Sequence, residues 1–221
     1  MTSEIQNRGF ATVRELLSQT ETDKLASELG PPSGAGRRGM LAHPSVKKLA
    51  TSEALLSAVR EHVPGTPQAV RAIYFDKSPG TNWLVAWHQD LTISVTHQTE
   101  APGFGPWSLK DGLIHVQPPA ELLQAMITLR LHLDDTDESN GALRLLPGSH
   151  RHGRLTAPDI ERLRGLIPEE MCCASKGDAL LMRPLTLHAS GRSVSDRHRR
   201  ILHIEYAGAA LPDGLHWNES A

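Results

Sequence analysis

Residues 126–133 (MITLRLHL) alternate apolar and polar side chains. Ile127, Leu129, Leu131 and Leu133 share one face, and Thr128, Arg130 and His132 share the other. Successive side chains point to opposite sides of a strand, so a period of two commits this segment to a β-strand with one apolar face. A polar turn cluster, 134–141, follows at once. The pattern recurs along the chain. Residues 69–75, 83–95, 142–146, 179–187 and 200–206 are short β-rich runs between turn signals such as Pro147-Gly148. Segments 119–126 and 158–166 suit short helices.

The first sixty residues read differently. Val13, Leu16 and Leu17 recur at helical spacing, Leu25 and Leu29 continue it, and Gly30-Pro31-Pro32 stops it. A Gly/Arg loop covers 33–39. A second amphipathic stretch starts at Ser45, takes in Val46, Leu49, Leu55, Leu56 and Val59, and ends near Pro64-Gly65. The expectation is one domain over 1–221, mainly β with N-terminal helices. A helical layer over 1–65 is laid on a sandwich or jelly roll over 69–207.

Composition excludes several classes. Eighteen Gly and fifteen Pro suit a turn-rich fold and not a collagen-like or low-complexity chain. A net charge of −2 with interspersed signs offers no global field for nucleic acid. No apolar run approaches the roughly 18 residues a membrane span requires, and 1–10 lack the apolar core of a signal peptide. The two cysteines, Cys172 and Cys173, are adjacent and cannot staple a domain of this size. They read as packing residues, and a cytoplasmic location is expected. No sequence feature fixes an oligomeric state.

Twelve histidines raise the question of a metal site. On a strand, H-x-D presents an imidazole and a carboxylate on the same side. A second histidine from another strand then completes a two-His, one-carboxylate set, which leaves coordination positions open for a bidentate cosubstrate and O2. Chance alone yields about 1.4 H-x-acid pairs in this composition. The sequence holds three: His88/Asp90, His132/Asp134 and His203/Glu205. The ordinary reading of any one is a solvated or hydrogen-bonded pair.

Context separates them. His88/Asp90 has a downstream histidine, His188, in a strand-like context. Arg199 follows eleven residues later across a Ser/Asp turn, 193–196. A hairpin there would set the His188 and Arg199 strands side by side. His132/Asp134 could use the same histidine, with Arg144 nearby, but Asp134 opens an acidic turn where a carboxylate is most simply solvated. His203/Glu205 has only His216 after it. A 2-oxo acid also needs a base for its distal carboxylate, and arginine binds carboxylates bidentately. Alternation does not choose between Arg199 and Arg200, because they face opposite sides.

These residues bring a family into view. Lys77 with Asn82-Trp83, the run Trp87-His88-Gln89-Asp90, Trp107, and His115-Val116-Gln117-Pro118-Pro119 come first. Leu133-Asp134-Asp135, Asn140-Gly141-Ala142-Leu143, Pro147-Gly148-Ser149-His150, Gly177-Asp178, His188-Ala189-Ser190 and Arg199 follow in order. Over 69–207 the chain resembles the phytanoyl-CoA dioxygenase (PhyH-like) family of Fe(II)/2-oxoglutarate-dependent oxygenases.

The resemblance implies a double-stranded β-helix, the cupin-like jelly roll. It implies His88, Asp90 and His188 as iron ligands. It implies Arg199, by its spacing, as the partner of the distal carboxylate of 2-oxoglutarate, with Ser190 beside it. Lys77, Gln89 and Trp107 fall near cosubstrate or substrate positions. The implied activity is hydroxylation of a small metabolite with O2, giving succinate and CO2. Related halogenases carry a small residue where Asp90 stands. Two other readings remain: a non-catalytic jelly-roll binding module, and a cupin-type metalloenzyme that uses no 2-oxo acid. The chain leaves little room for insertions, so a small polar or acidic substrate is expected. Arg37 and Arg38, and His150, Arg151, His152 and Arg154, read as solvated loop residues, with a basic rim for an anionic substrate as the alternative.

Overall fold

The computed structural model of the protein describes residues 2–31, 34–212 and 214–221. Pro32 and Ser33, expected in the turn and loop after the first helical stretch, lie outside them. Short helices dominate the N-terminal quarter: α1 (Thr2–Arg8), α2 (Gln19–Leu29), α3 (Pro44–Ala50) and α4 (Glu53–Val59), with strands β1 (Phe10–Val13) and β2 (Gly36–Arg37) among them. Then come β3 (Gln68–Lys77), β4 (Val85–His88), β5 (Ile93–Val95), β6 (Trp107–Lys110), β7 (Leu113–Val116), α5 (Ala120–Ala125) and β8 (Ile127–His132). The last part holds β9 (Leu143–Leu145), α6 (Ala157–Leu166), β10 (Glu170–Cys172), β11 (Ala179–Met182), β12 (His188–Ser190) and β13 (Arg199–Ala207).

The strands form a six-stranded sheet in the order β1-β11-β8-β13-β3-β2, a four-stranded sheet β10-β9-β12-β4, and a three-stranded flank β5-β7-β6. All strand pairings are antiparallel. This is the expected jelly roll.

The period-two segment occupies a central position as β8, between β11 and β13. Its apolar face does not look into the space between the sheets. Leu129 and Leu131, with Leu181 of β11, Leu202 and Ile204 of β13 and Tyr74 of β3, pack beneath Leu25 and Leu29 of α2 and Leu55 and Val59 of α4. Each fully buried leucine there contributes roughly 1.5–3 kcal/mol. The opposite faces of β3, β8 and β13 therefore carry the polar residues, and they turn these toward the sheet opposite.

Several expected boundaries move. Residues 13–17 are not helical, because β1 pairs with β11, Phe10 opposite Met182, and this tertiary pairing overrides the helical spacing. The backbone N–H groups of Glu15 and Leu17 are taken by Asp178 and by the Gly177 carbonyl. Only glycine permits that approach, since a Cβ at 177 would lie 2.2 Å from the Leu17 carbonyl oxygen. The helix proper begins at a capping box in which Ser18 and Glu21 exchange hydrogen bonds. The helical layer of 1–65 thus contributes β1 and β2 to the main sheet. The amphipathic stretch from Ser45 breaks at Thr51-Ser52 into α3 and α4. Residues 83–95 divide between two sheets as β4 and β5. The run 179–187 ends as a strand at Met182, and a turn closed by Thr186 N–H to the Arg183 carbonyl leads into β12.

The hairpin expected between His188 and Arg199 does not form. β12 pairs with β4 and β9, whereas β13 pairs with β3 and β8 in the other sheet. Residues 191–198 cross between the sheets. The Asn82 amide clamps both backbone groups of Ser193 (2.7 and 2.8 Å), and the Ser139 carbonyl accepts from Val194 N–H. These bonds use the backbone groups that a hairpin would need.

Candidate metal centre

His88 ends β4 and lies directly opposite His188, the first residue of β12. Their rings are 4.2 Å apart, centroid to centroid. Asp90 stands two residues beyond β4, where its N–H donates to the Pro184 carbonyl (2.9 Å). Its carboxylate oxygens lie 3.8 Å from the Nε2 atoms of both histidines. Among the described residues these three form the one cluster of three or more His, Cys, Asp or Glu with metal-ligand spacing.

The second ring nitrogens settle the tautomers. Nδ1 of His88 donates to the Ala86 carbonyl at 2.9 Å, and Nδ1 of His188 to the Thr186 carbonyl at 2.8 Å. With the proton on Nδ1, each Nε2 offers a lone pair toward Asp90. Burial drives the His188 pKa down to about 4, against an opposing pull from Asp90, so its ring is neutral at pH 7. Burial raises Asp90, but His188, His203, His88 and Arg71 outweigh it and hold the carboxyl well below its usual range. Asp90 Oδ2 is buried with no hydrogen-bond partner. An ionised carboxylate oxygen left bare, facing two imidazoles, is a donor set that fits a divalent cation.

Gln89 sits between His88 and Asp90 and is fully consumed by the backbone. Its amide nitrogen donates to the Gly153 and Leu185 carbonyls, and its oxygen accepts from Leu155 N–H. Its side chain pins the turn that carries Asp90.

The triad opens on a cavity of about 470 Å³ between the sheets, and Arg199 lines it. Arg199 donates to the Gly141 carbonyl at 2.7 Å, its Nε is buried without a partner, and no described carboxylate pairs with it. Burial, with help from Arg130, lowers its pKa to about 9, which leaves it charged at pH 7. Arg200 faces the other way. Asp134 accepts from its Nε (2.8 Å) and Nη2 (2.6 Å). Asp134, expected to be solvated, is instead the partner that takes Arg200 out of contention, because the strand turn aims it at the outer face of β13.

Lys77, opposite Arg199 on β3, reaches Ser190 Oγ (3.0 Å) and the Gly191 carbonyl (2.6 Å). Its ammonium also sits over the Trp83 ring. Burial, then Arg199, Arg130 and Arg192, brings the Lys77 pKa down to about 7. Arg199 and Ser190 thus line the cavity together, with Lys77 packed behind Ser190. The structure does not bring Trp107 there. Trp107 opens β6, packs against the cluster of Ile93, Val116 and Leu123 on the flanking sheet, and faces a separate surface depression. The loop before β6 carries it outward, away from the cavity that Arg199 lines.

His132, the rival pair's histidine, is bonded to Thr136 Oγ1 and lies off the cavity. His203 and Glu205, set aside in the sequence as background, line the cavity instead. Both follow Arg199 at even spacing on β13, and Arg130 sits opposite His203 on β8. That alternation was the available signal. Arg38 also lines the cavity, whereas Arg37 turns to the Leu29 carbonyl. Arg151 bonds to Gln6 and Asn7 near α1, and neither it nor His152 lines the cavity.

An antiparallel jelly roll with two histidines and a carboxylate converging at one end of its inner cavity defines a protein of the non-haem metal type. The chain belongs to the phytanoyl-CoA dioxygenase (PhyH) family, whose model matches residues 5–201. Curated proteins give no match. Solved structures share the fold at low identity. AviO1 from Streptomyces viridochromogenes Tue57 is 21% identical with a TM-score of 0.69, covering 96% of this chain and 95% of that one. SnoN, a non-heme alpha ketoglutarate dependent epimerase from nogalamycin biosynthesis, is 18% identical with a TM-score of 0.68 (94% and 79% covered). HygX from Streptomyces hygroscopicus, solved with nickel and 2-oxoglutarate bound, is 18% identical with a TM-score of 0.66 (93% and 85% covered).

Proposed function

We propose that the protein is an Fe(II)- and 2-oxoglutarate-dependent dioxygenase that hydroxylates a small metabolite. One observation carries the reading. A buried arginine without a carboxylate partner, Arg199, shares a cavity with a bare donor set of two imidazoles and one carboxylate. A non-catalytic module that merely retains a metal has no use for that arginine, and neither does a metalloenzyme that takes no 2-oxo acid.

His88, Asp90 and His188 would hold the iron, and Arg199 and Ser190 would hold the distal carboxylate of 2-oxoglutarate, with Lys77 bonded to Ser190 behind them. Bound iron and 2-oxoglutarate supply the O2-dependent oxidising chemistry, with succinate and CO2 as coproducts. The chain supplies position and charge. The carbonyls of Ala86 and Thr186 hold both imidazoles with Nε2 inward, and Gln89 fixes the turn bearing Asp90. The guanidinium offers a fixed fork to a carboxylate. An aspartate at position 90 would occupy the place a halide would need, which argues against halogenation. Two free cysteines suit a reducing compartment such as the cytoplasm. Among the described residues no helix is long and apolar enough to cross a membrane.

Anaerobic addition of Fe(II) and 2-oxoglutarate should produce a weak visible charge-transfer band. His88→Ala and Asp90→Ala should abolish it, and a band that survives either change would overturn the ligand assignment. Mass analysis of the product separates the outcomes. Hydroxylation adds one oxygen atom, and epimerisation leaves the mass unchanged.

A further inference from the structure

The cavity holds more positive charge than iron and 2-oxoglutarate consume. Its walls carry five cations, Arg38, Arg71, Lys110, Arg130 and Arg199, against two carboxylates, Asp90 and Glu205. Arg71 is matched by Glu205 at 3.1 Å, and Arg38 by Asp111 at 2.6 Å. On the reading above, Arg199 answers the distal carboxylate of 2-oxoglutarate. Asp90 and the proximal carboxylate offset the metal. Arg130 and Lys110 remain without a carboxylate partner among the described residues.

The contacts of Arg130 confirm that its charge is unanswered. Its Nη1 lies 2.8 Å from His203 Nδ1. A guanidinium only donates, so that nitrogen must be the acceptor, and the imidazole proton sits on Nε2, where it donates to Glu205 (3.2 Å). Burial keeps the His203 ring neutral, against the pull of Glu205. Arg130 therefore gains a hydrogen bond and feels the more distant charge of Asp90, but pairs with no carboxylate among the described residues. It is buried, and a buried charge without a partner is costly to the fold. Lys110, at the exposed rim, bonds only to Thr92 Oγ1 at 3.1 Å. Burial together with Arg71 and Arg38 disfavours its protonated form, with Asp90 and Glu205 opposing.

We propose that the substrate is an anion, bearing a carboxylate or a phosphate ester, whose charge is answered by Arg130 in the cavity wall and by Lys110 at its rim. A ligand of that class supplies the missing counter-charge. It would also be drawn in by the surplus field of a cavity whose low-dielectric walls focus it. The basic rim that the sequence offered as the alternative reading of His150, Arg151, His152 and Arg154 is thereby sought instead at Lys110 of β6. This inference rests on the oxygenase reading.

The test uses the full chain loaded anaerobically with Fe(II) and 2-oxoglutarate. The probes are a short aliphatic carboxylate and its amide, a short alkyl phosphate and its alcohol, and inorganic phosphate. Binding is read as a shift of the visible band. At low salt the charged member of at least one pair should bind about tenfold or more tightly than its neutral partner, and added salt should narrow the gap. The pair showing the preference identifies the group. Lys110→Gln, a change at an exposed site, should reduce the preference at least about threefold, with 2-oxoglutarate affinity held within about twofold. Arg130→Gln should abolish the preference. Charged probes that bind no better than their neutral partners, or a preference unmoved by Lys110→Gln, overturn the proposal. Arg130→Gln weakening 2-oxoglutarate instead reassigns Arg130 to the cosubstrate and overturns its part. Absence of any band with 2-oxoglutarate overturns the oxygenase reading itself, and this inference with it.

Discussion

Arg199 and Arg200 are neighbours with the same side chain and opposite surroundings. One is buried in the cavity beside Lys77 and Ser190, and the other is locked to Asp134 on the far face of β13. Their substitutions should separate cleanly. Arg199→Met should raise the KM for 2-oxoglutarate at least about tenfold, in line with the roughly 1.5–3 kcal/mol of a charge-assisted bond, while metal affinity stays within about twofold. Arg200→Met should leave that KM unchanged and lower stability by roughly 1–3 kcal/mol in chemical denaturation. Equal effects on KM would remove Arg199 from the cosubstrate. At this scale the sequence was partly legible. Side-chain identity pointed to His88, Asp90 and His188, because ligand chemistry restricts residue type. The choice between the two arginines was not legible from alternation, since it depends on which face of β13 meets the cavity. The same ignorance hid His203 and Glu205, whose even spacing from Arg199 acquires meaning only once that face is known.

Local elements were the most readable level. Segment 126–133 became β8, and 119–126 and 158–166 became α5 and α6, because pattern and caps act over a few residues; Thr156 and Asp159 form a capping box at the start of α6. Residues 13–17 and the link between His188 and Arg199 were misread, because partners distant in sequence decide both. The turn between β8 and β9 shows how an element tunes the site. Gly141 has φ +80°, its carbonyl accepts from Arg199, and a Cβ there would come within 2.8 Å of the Gly191 carbonyl oxygen and 3.1 Å of Lys77 Nζ. Gly141→Ala should therefore cost roughly 1–3 kcal/mol of stability. It should also raise the KM for 2-oxoglutarate, because the holder of Arg199 and the neighbouring Lys77 are displaced together. A loss of stability with unchanged KM would show that the turn does not position the arginine.

For the whole molecule, the cavity lies between two sheets, so what fills it should stabilise the entire fold. Binding to the native state alone, at a hundred times Kd, adds about 2.7 kcal/mol, or roughly 5–10 °C in Tm for a chain of this length. Nickel(II) and 2-oxoglutarate together should give a shift of that order in a thermal melt. Either alone should give less, and Asp90→Ala should abolish the joint effect. A joint shift surviving in Asp90→Ala would place the metal elsewhere. The chain's route to this state is constrained by β1, which meets β11 with Phe10 opposite Met182. On a ribosome adding about 5–20 residues per second, β1 waits on the order of ten to thirty seconds for its mate to be synthesised. The main sheet is therefore completed only after β11 and β13 have been made. Until then Phe10 and Ala11, buried in the finished protein, are apolar residues without the strand that covers them.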